Sequence, residues 1–169
     1  NMTGSVSITT NPLPAVFNVT GGGGYCAGGT GVTIGLSGSE LGIDYQLLLS
    51  GAPSGTPVAG TGSAITFGAR TAGGVYTVMA TNATTGCTST MTGSVTITIN
   101  VMPTVFTMTG GGAYCLGGTG VSVGLNGSTA GVNYQLYRGT TLVGTPVAGT
   151  GASFNFGVFT TAGSYTAVA

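Results

Sequence analysis

A chain of 169 residues with 35 glycines, 31 threonines, no lysine, histidine or tryptophan and a formal net charge of zero carries little material for chemistry. Its four charged side chains, Glu40, Asp44, Arg70 and Arg138, make up 2% of the residues, against about 25% in an average soluble domain. That argues against a nucleic-acid interface, which needs a basic stripe, and against zinc or calcium centres, which need clustered Cys/His or carboxylate ligands; with only Glu40 and Asp44 left for acid–base work, neither an enzyme nor a cofactor is expected.

Strands follow in chain order from apolar residues alternating with threonine or serine and from β-branched content. Met2, Gly4, Val6 and Ile8 alternate with Thr3, Ser5, Ser7 and Thr9, the pattern of a half-buried strand. Further strands are predicted near 15–20, 32–37, 43–49, 56–59, 64–67, 75–81 and 94–99. A second series is predicted near 104–109, 121–126, 132–138, 145–148, 153–156 and 164–169. Gly21–Gly24, Gly28–Gly31, Ser37–Ser39 and Thr71–Gly74 read as turns, where glycine accepts positive φ. Pro12, Pro14 and Pro103 fall between the strand groups, where a missing N–H costs no central ladder. No window carries a helical period, and none nears the roughly 18 apolar residues of a membrane-spanning helix.

The second series repeats the first. TGSV, YC, YQL and GTPVAGTG each recur at an offset of 89 residues, and laying 1–80 on 90–169 without gaps gives 45 identities. A solenoid unit is shorter, at roughly 20–45 residues, whereas a β-sandwich takes about 100. The expected fold class is therefore all-β, as tandem Ig-like antiparallel β-sandwiches. Residues 1–10 correspond to the last strand of a repeat, residues 11–100 form repeat one, and residues 101–169 form repeat two without its final strand. An incomplete sandwich exposes an edge and an apolar groove. Met2, Val6 and Ile8 suit such a groove as a donor strand. Two readings stand side by side: a window onto a longer covalent array, and head-to-tail strand donation between 169-residue subunits.

Several motifs carry a resemblance. Tyr-Cys-X-Gly-Gly-Thr-Gly stands at Tyr25–Gly31 and Tyr114–Gly120, and Tyr-Gln-Leu at Tyr45–Leu47 and Tyr134–Leu136. Gly-Gly-Val-Tyr-Thr-Val follows at Gly73–Val78, Ala-Thr-Asn-Ala-Thr-Thr-Gly-Cys at Ala80–Cys87, and Thr-Gly-Ser-Val-Thr-Ile-Thr-Ile at Thr92–Ile99. Together they resemble the tandem Ig-like repeats of very large bacterial cell-surface proteins, the adhesins of the Bacteroidota gliding and type IX secretion kind. The resemblance implies a secreted, repeated stalk or filament at the bacterial surface, with further copies of itself as partners. The chain departs from many such repeats in lacking charge and tryptophan.

Cys26 and Cys115 are equivalent at the 89-residue offset, and Cys87 has its counterpart beyond residue 169. Paired cysteines in an extracellular module point to a disulfide. A Cys26–Cys87 bond within one repeat would close a loop of about 60 residues, worth roughly 4 kcal/mol by chain entropy. A strict Ig topology instead puts the two at opposite ends, which favours a bond between repeats or chains. Asn-X-Ser/Thr sequons at Asn1, Asn18, Asn82 and Asn126 are candidate glycosylation sites. Tyr45, Tyr76, Tyr134 and Tyr165 read as core-edge residues with hydroxyls reaching backbone or water, or alternatively as a sugar platform. Glu40 and Asp44 read as a solvated turn, since Thr129 and Asn133 replace them in repeat two. The expected function is a structural subunit of an extracellular filament, sheath or stalk, the alternative being an adhesin module that binds surface glycans.

Overall fold

The structure is a computed structural model that describes residues 3–169. Met2 and the Asn1 sequon lie outside the described residues. The described residues are all-β and contain no helix, and hence none long and apolar enough to cross a membrane. They divide into two compact units between Val101 and Met102.

In the first unit the strands are β1 (Val19–Gly21), β2 (Gly23–Cys26), β3 (Val32–Leu36), β4 (Ile43–Leu49), β5 (Ala52–Pro53), β6 (Val58–Ala59), β7 (Ile65–Arg70), β8 (Gly74–Asn82), β9 (Thr88–Thr90) and β10 (Val95–Asn100). One sheet has the order β1-β3-β7. The other has the order β2-β10-β8-β4-β5, with β6 on β4 and β9 on β8. All ladders are antiparallel except that of β2 with β10, which is parallel.

The period-2 pattern explains the packing. Ile43, Tyr45 and Leu47 of β4 and Tyr76, Val78 and Ala80 of β8 are buried at alternate positions. They meet Ile34 and Leu36 of β3 and Phe67 of β7 from the other sheet, with Ile97 and Met91 completing one core. Facing apolar sides of two sheets make a β-sandwich. The chain changes sheets between β1 and β2, where Gly21, Gly22 and Gly23 have φ of 92°, 77° and 125°. A Cβ on Gly21 would run into the Thr33 carbonyl oxygen, and one on Gly22 would sit 2.8 Å from the Val95 Cβ. Only glycine makes this crossing.

The second unit holds β11 (Met108–Gly110), β12 (Val121–Leu125), β13 (Asn133–Arg138), β14 (Thr141–Ala148), β15 (Phe154–Phe159) and β16 (Tyr165–Val168). Its sheets are β11-β12-β15 and β14-β13-β16, antiparallel throughout. Val123, Leu125, Tyr134 and Leu136 are buried between them. Aromatic rings extend this core: Tyr134 lies 6.4 Å from Phe106 and 5.6 Å from Phe154, centroid to centroid.

Three of the expectations need correction in detail. The second half of the expected turn Gly21–Gly24 is strand β2. The strand expected near 56–59 shrinks to β6, whereas β14 runs unbroken over the equivalent residues. Strand β9 had no alternation to mark it. Residues 3–10 alternate but belong to no strand.

Candidate functional site

The polar residues shared by both units hold backbone. The Tyr76 hydroxyl donates to the Ala72 carbonyl at 2.8 Å, and Tyr165 does the same to Thr161 at 2.8 Å. The hydroxyls of Tyr25 and Tyr114 donate to the carbonyls of Thr71 and Thr160. Those of Tyr45 and Tyr134 accept the N–H of Glu40 at 2.9 Å and of Thr129 at 2.8 Å. Buried Ser39 donates to the Ser63 carbonyl at 2.6 Å and accepts from the Thr61 N–H at 2.9 Å, and Ser128 repeats the pair on Ala152 and Thr150. Buried polar groups are satisfied in this way.

The charged candidates have local roles. The Glu40 carboxylate accepts the Ala15 N–H at 2.8 Å, fixing the chain as it enters the first unit. Burial raises the Tyr45 phenol above its ordinary value of 10.0; the hydrogen bond from Glu40 backbone opposes this, and the Glu40 charge adds to it. Asp44 sits in the β4–β6 ladder opposite Ala59. Among the described residues, no three His, Cys, Asp or Glu side chains come together.

The expected Cys26–Cys87 disulfide is not formed, and all three cysteines are free. The topology gives the reason. Cys26 pairs with Asn100 beyond the Gly74 end of β8, while the Cys87 carbonyl accepts the N–H of Asn82 at the other end. Eight residue steps of β8 separate the two ends, roughly 26 Å, whereas a disulfide needs Cα atoms about 5.5–6 Å apart. Cys26 and Cys115 are exposed, and Cys87 is half-buried.

Two of the three described sequons are also engaged with backbone. The Asn82 side-chain oxygen accepts the N–H groups of Thr84 and Thr85 at 2.9 and 3.0 Å. That of Asn126 accepts the Thr107 N–H at 2.9 Å, the place Ser37 takes for Asn18 in the first unit. Asn18 itself is exposed.

What remains open is a pair of grooves in the second unit. One, of about 340 Å³, is lined by Pro103, Phe106, Leu125, Tyr134, Ala167 and Val168. At the corresponding place in the first unit sits Met91, 3% exposed. Its sulfur accepts the Phe17 N–H at 3.4 Å, and its N–H donates to the Val78 carbonyl at 2.9 Å. The other groove, of about 310 Å³, is lined by residues including Gly111, Gly112, Tyr114, Val123, Phe159 and Tyr165. Strand β10 fills the corresponding place in the first unit, with Ile97 only 2% exposed between β2 and β8.

The offset places the counterparts of Met91 and β10 at 180 and 184–189, beyond the 169 residues. Residues 112–115 read Gly-Ala-Tyr-Cys, close to the Gly-Gly-Tyr-Cys of β2, yet they form no strand. Strand β2 had β10 as its sole partner. Meanwhile Val6 and Ile8, which match Val95 and Ile97, are 95% and 93% exposed. The groove walls were not anticipated, because only the sandwich brings them together. The spacing of Tyr165 from Tyr76 was the available signal for them.

No family model matches this chain, and the comparison with curated proteins finds no relative.

Proposed function

We propose that the protein is a non-enzymatic structural subunit of an extracellular filament, sheath or adhesin stalk at a bacterial surface, built from tandem Ig-like sandwiches. The observation that carries the reading is the repetition of one charge-poor β-sandwich whose shared polar residues bind their own backbone. Six of the seven tyrosine hydroxyls are used this way. A glycan platform would need such aromatics free and in a row, so the structural reading is preferred to a carbohydrate-binding one. Two features support the Ig-like assignment. The sheet orders β1-β3-β7 and β2-β10-β8-β4 parallel the division of an Ig sandwich, and Tyr76 and Tyr165 bond four residues back like the tyrosine corner of that fold.

A nearly uncharged surface has little long-range repulsion, so like surfaces can pack closely. Electron microscopy of the purified protein tests the reading. Linear assemblies are expected, and they should persist to about 1 M NaCl because no ion pairs hold them. A monodisperse monomer under all conditions, or dissolution by moderate salt, would refute it.

A further inference from the structure

We propose that Asn126 is a modification site: in the folded protein its side chain closes onto Gly127, loses ammonia and becomes an aspartate that keeps the asparagine's place.

No other asparagine in the chain precedes glycine. A side chain on the following residue shields the backbone nitrogen that must attack, and glycine has none. The fold itself demands that glycine. A Cβ at 127 would lie 2.5 Å from the Phe106 ring, as one on Gly38 would lie 2.6 Å from the Phe17 ring. In the first unit the residue before this glycine is Ser37, whose hydroxyl accepts the Asn18 N–H and offers no carbonyl to attack. The second unit meets the same need for an acceptor with an amide. Packing thus fixes the glycine, a hydrogen bond fixes the asparagine, and the two together make the reactive pair.

The surroundings of Asn126 favour ring closure. Its side-chain oxygen accepts the Thr107 N–H at 2.9 Å, and its own N–H donates to the Thr107 carbonyl at 3.0 Å. A donor on that oxygen stabilises the negative charge that gathers there as Cγ is attacked. The Gly127 N–H is committed to no acceptor among the described residues, and Asn126 is exposed to the water that the reaction consumes. Hydroxide takes the Gly127 proton and the nitrogen bonds to Cγ. The Cγ–Nδ2 bond breaks, and ammonia leaves with a proton from water. A water molecule then opens the cyclic imide. Breaking the new N–Cγ bond restores the main chain and leaves an aspartate. Breaking the original peptide bond instead routes the chain through the side chain, as isoaspartate.

The fold selects the first product. Isoaspartate adds a methylene to the main chain just before Gly127, where nothing can move. Gly127 is buried against Phe106, and the Ser128 hydroxyl donates to the Ala152 carbonyl at 2.6 Å and accepts the Thr150 N–H at 3.0 Å. Aspartate displaces none of these, and its carboxylate accepts the Thr107 N–H more strongly than the amide does. On a chain with two acidic residues and no net charge, the product is a distinct charge form.

The test ages the full chain in mildly alkaline buffer, folded and, separately, unfolded in guanidinium chloride. Products are mapped by mass spectrometry and an isoaspartyl methyltransferase assay. We expect one acidic form to accumulate from the folded chain, with an NH exchanged for an oxygen at Asn126. Its ratio of aspartate to isoaspartate should exceed that of the unfolded sample at least about tenfold, because displacing Ser128 would leave buried polar groups unpaired. Asn126→Ser, which copies the first unit, should give no such form. Asn126→Asp should unfold at the midpoint of the unsubstituted chain or above it. A folded chain that stays unchanged while the unfolded one converts overturns the proposal, as does an acidic form that maps to another asparagine. An equal product ratio in the two samples, or a lowered midpoint for Asn126→Asp, overturns it too. None of these readouts involves assembly, so their failure leaves the filament reading as it stands.

Discussion

Single residues in this protein act mostly by what they let the backbone do. Gly60 and Gly149 show it. A Cβ on either would run into a backbone oxygen, of Glu40 or of Thr129, and would press on the ring of Tyr45 or Tyr134 at 3.0 or 2.9 Å. Gly60→Ala must therefore push apart the segment that Tyr45 fastens to Glu40. It should destabilise the first unit by about 2 kcal/mol or more, read as a lowered denaturant midpoint; an unchanged midpoint would contradict this packing. Tyr45 also sets a pH limit. Because burial raises its phenol above 10.0, the native state favours the neutral form. That stabilisation is complete below about pH 10 and is lost as pH rises through the native value. Unfolding midpoints between pH 8 and 11 should fall more steeply for the unsubstituted protein than for Tyr45→Phe. Equal slopes would show that Tyr45 is not the group responsible.

At the scale of strands, identical sequence has different worth depending on its neighbours. Ile97 and Ile8 sit in the same local sequence, yet one is 2% and the other 93% exposed. Ile97→Ala should cost the first unit about 2–5 kcal/mol. Ile8→Ala should change the unfolding of the dilute monomer by no more than about 0.5 kcal/mol. Chemical denaturation of the two variants compares them directly, and a large effect from Ile8→Ala would mean that residues 3–10 already pack on their own chain. The same contrast explains what could be read in advance. Strands β4 and β8 were legible because their buried residues alternate, as at Ile43, Tyr45 and Leu47. The two-unit organisation was legible from the 89-residue offset. Strand β2 was not, because Gly-Gly-Tyr-Cys has no alternation and becomes a strand only beside β10. Residues 3–10 erred the other way, alternating cleanly with no neighbour to complete a ladder. The grooves needed three dimensions, since Phe106, Tyr134 and Val168 are brought together only by the fold.

For the whole molecule, the two units repeat one set of polar fastenings. Tyr76 and Tyr165 donate to the carbonyls of Ala72 and Thr161, and Ser39 and Ser128 donate to those of Ser63 and Ala152. Each serine also accepts a backbone N–H, of Thr61 or of Thr150, and each is only 4% exposed. Replacing either by alanine leaves a carbonyl and an N–H without their partner, which costs about 1–3 kcal/mol. Ser39→Ala should therefore lower the denaturant midpoint of the first unit, and Ser128→Ala that of the second by a similar amount. A loss in one unit with none in the other would mean that the repeat keeps the residue without its role, and each sandwich would then be fastened in its own way.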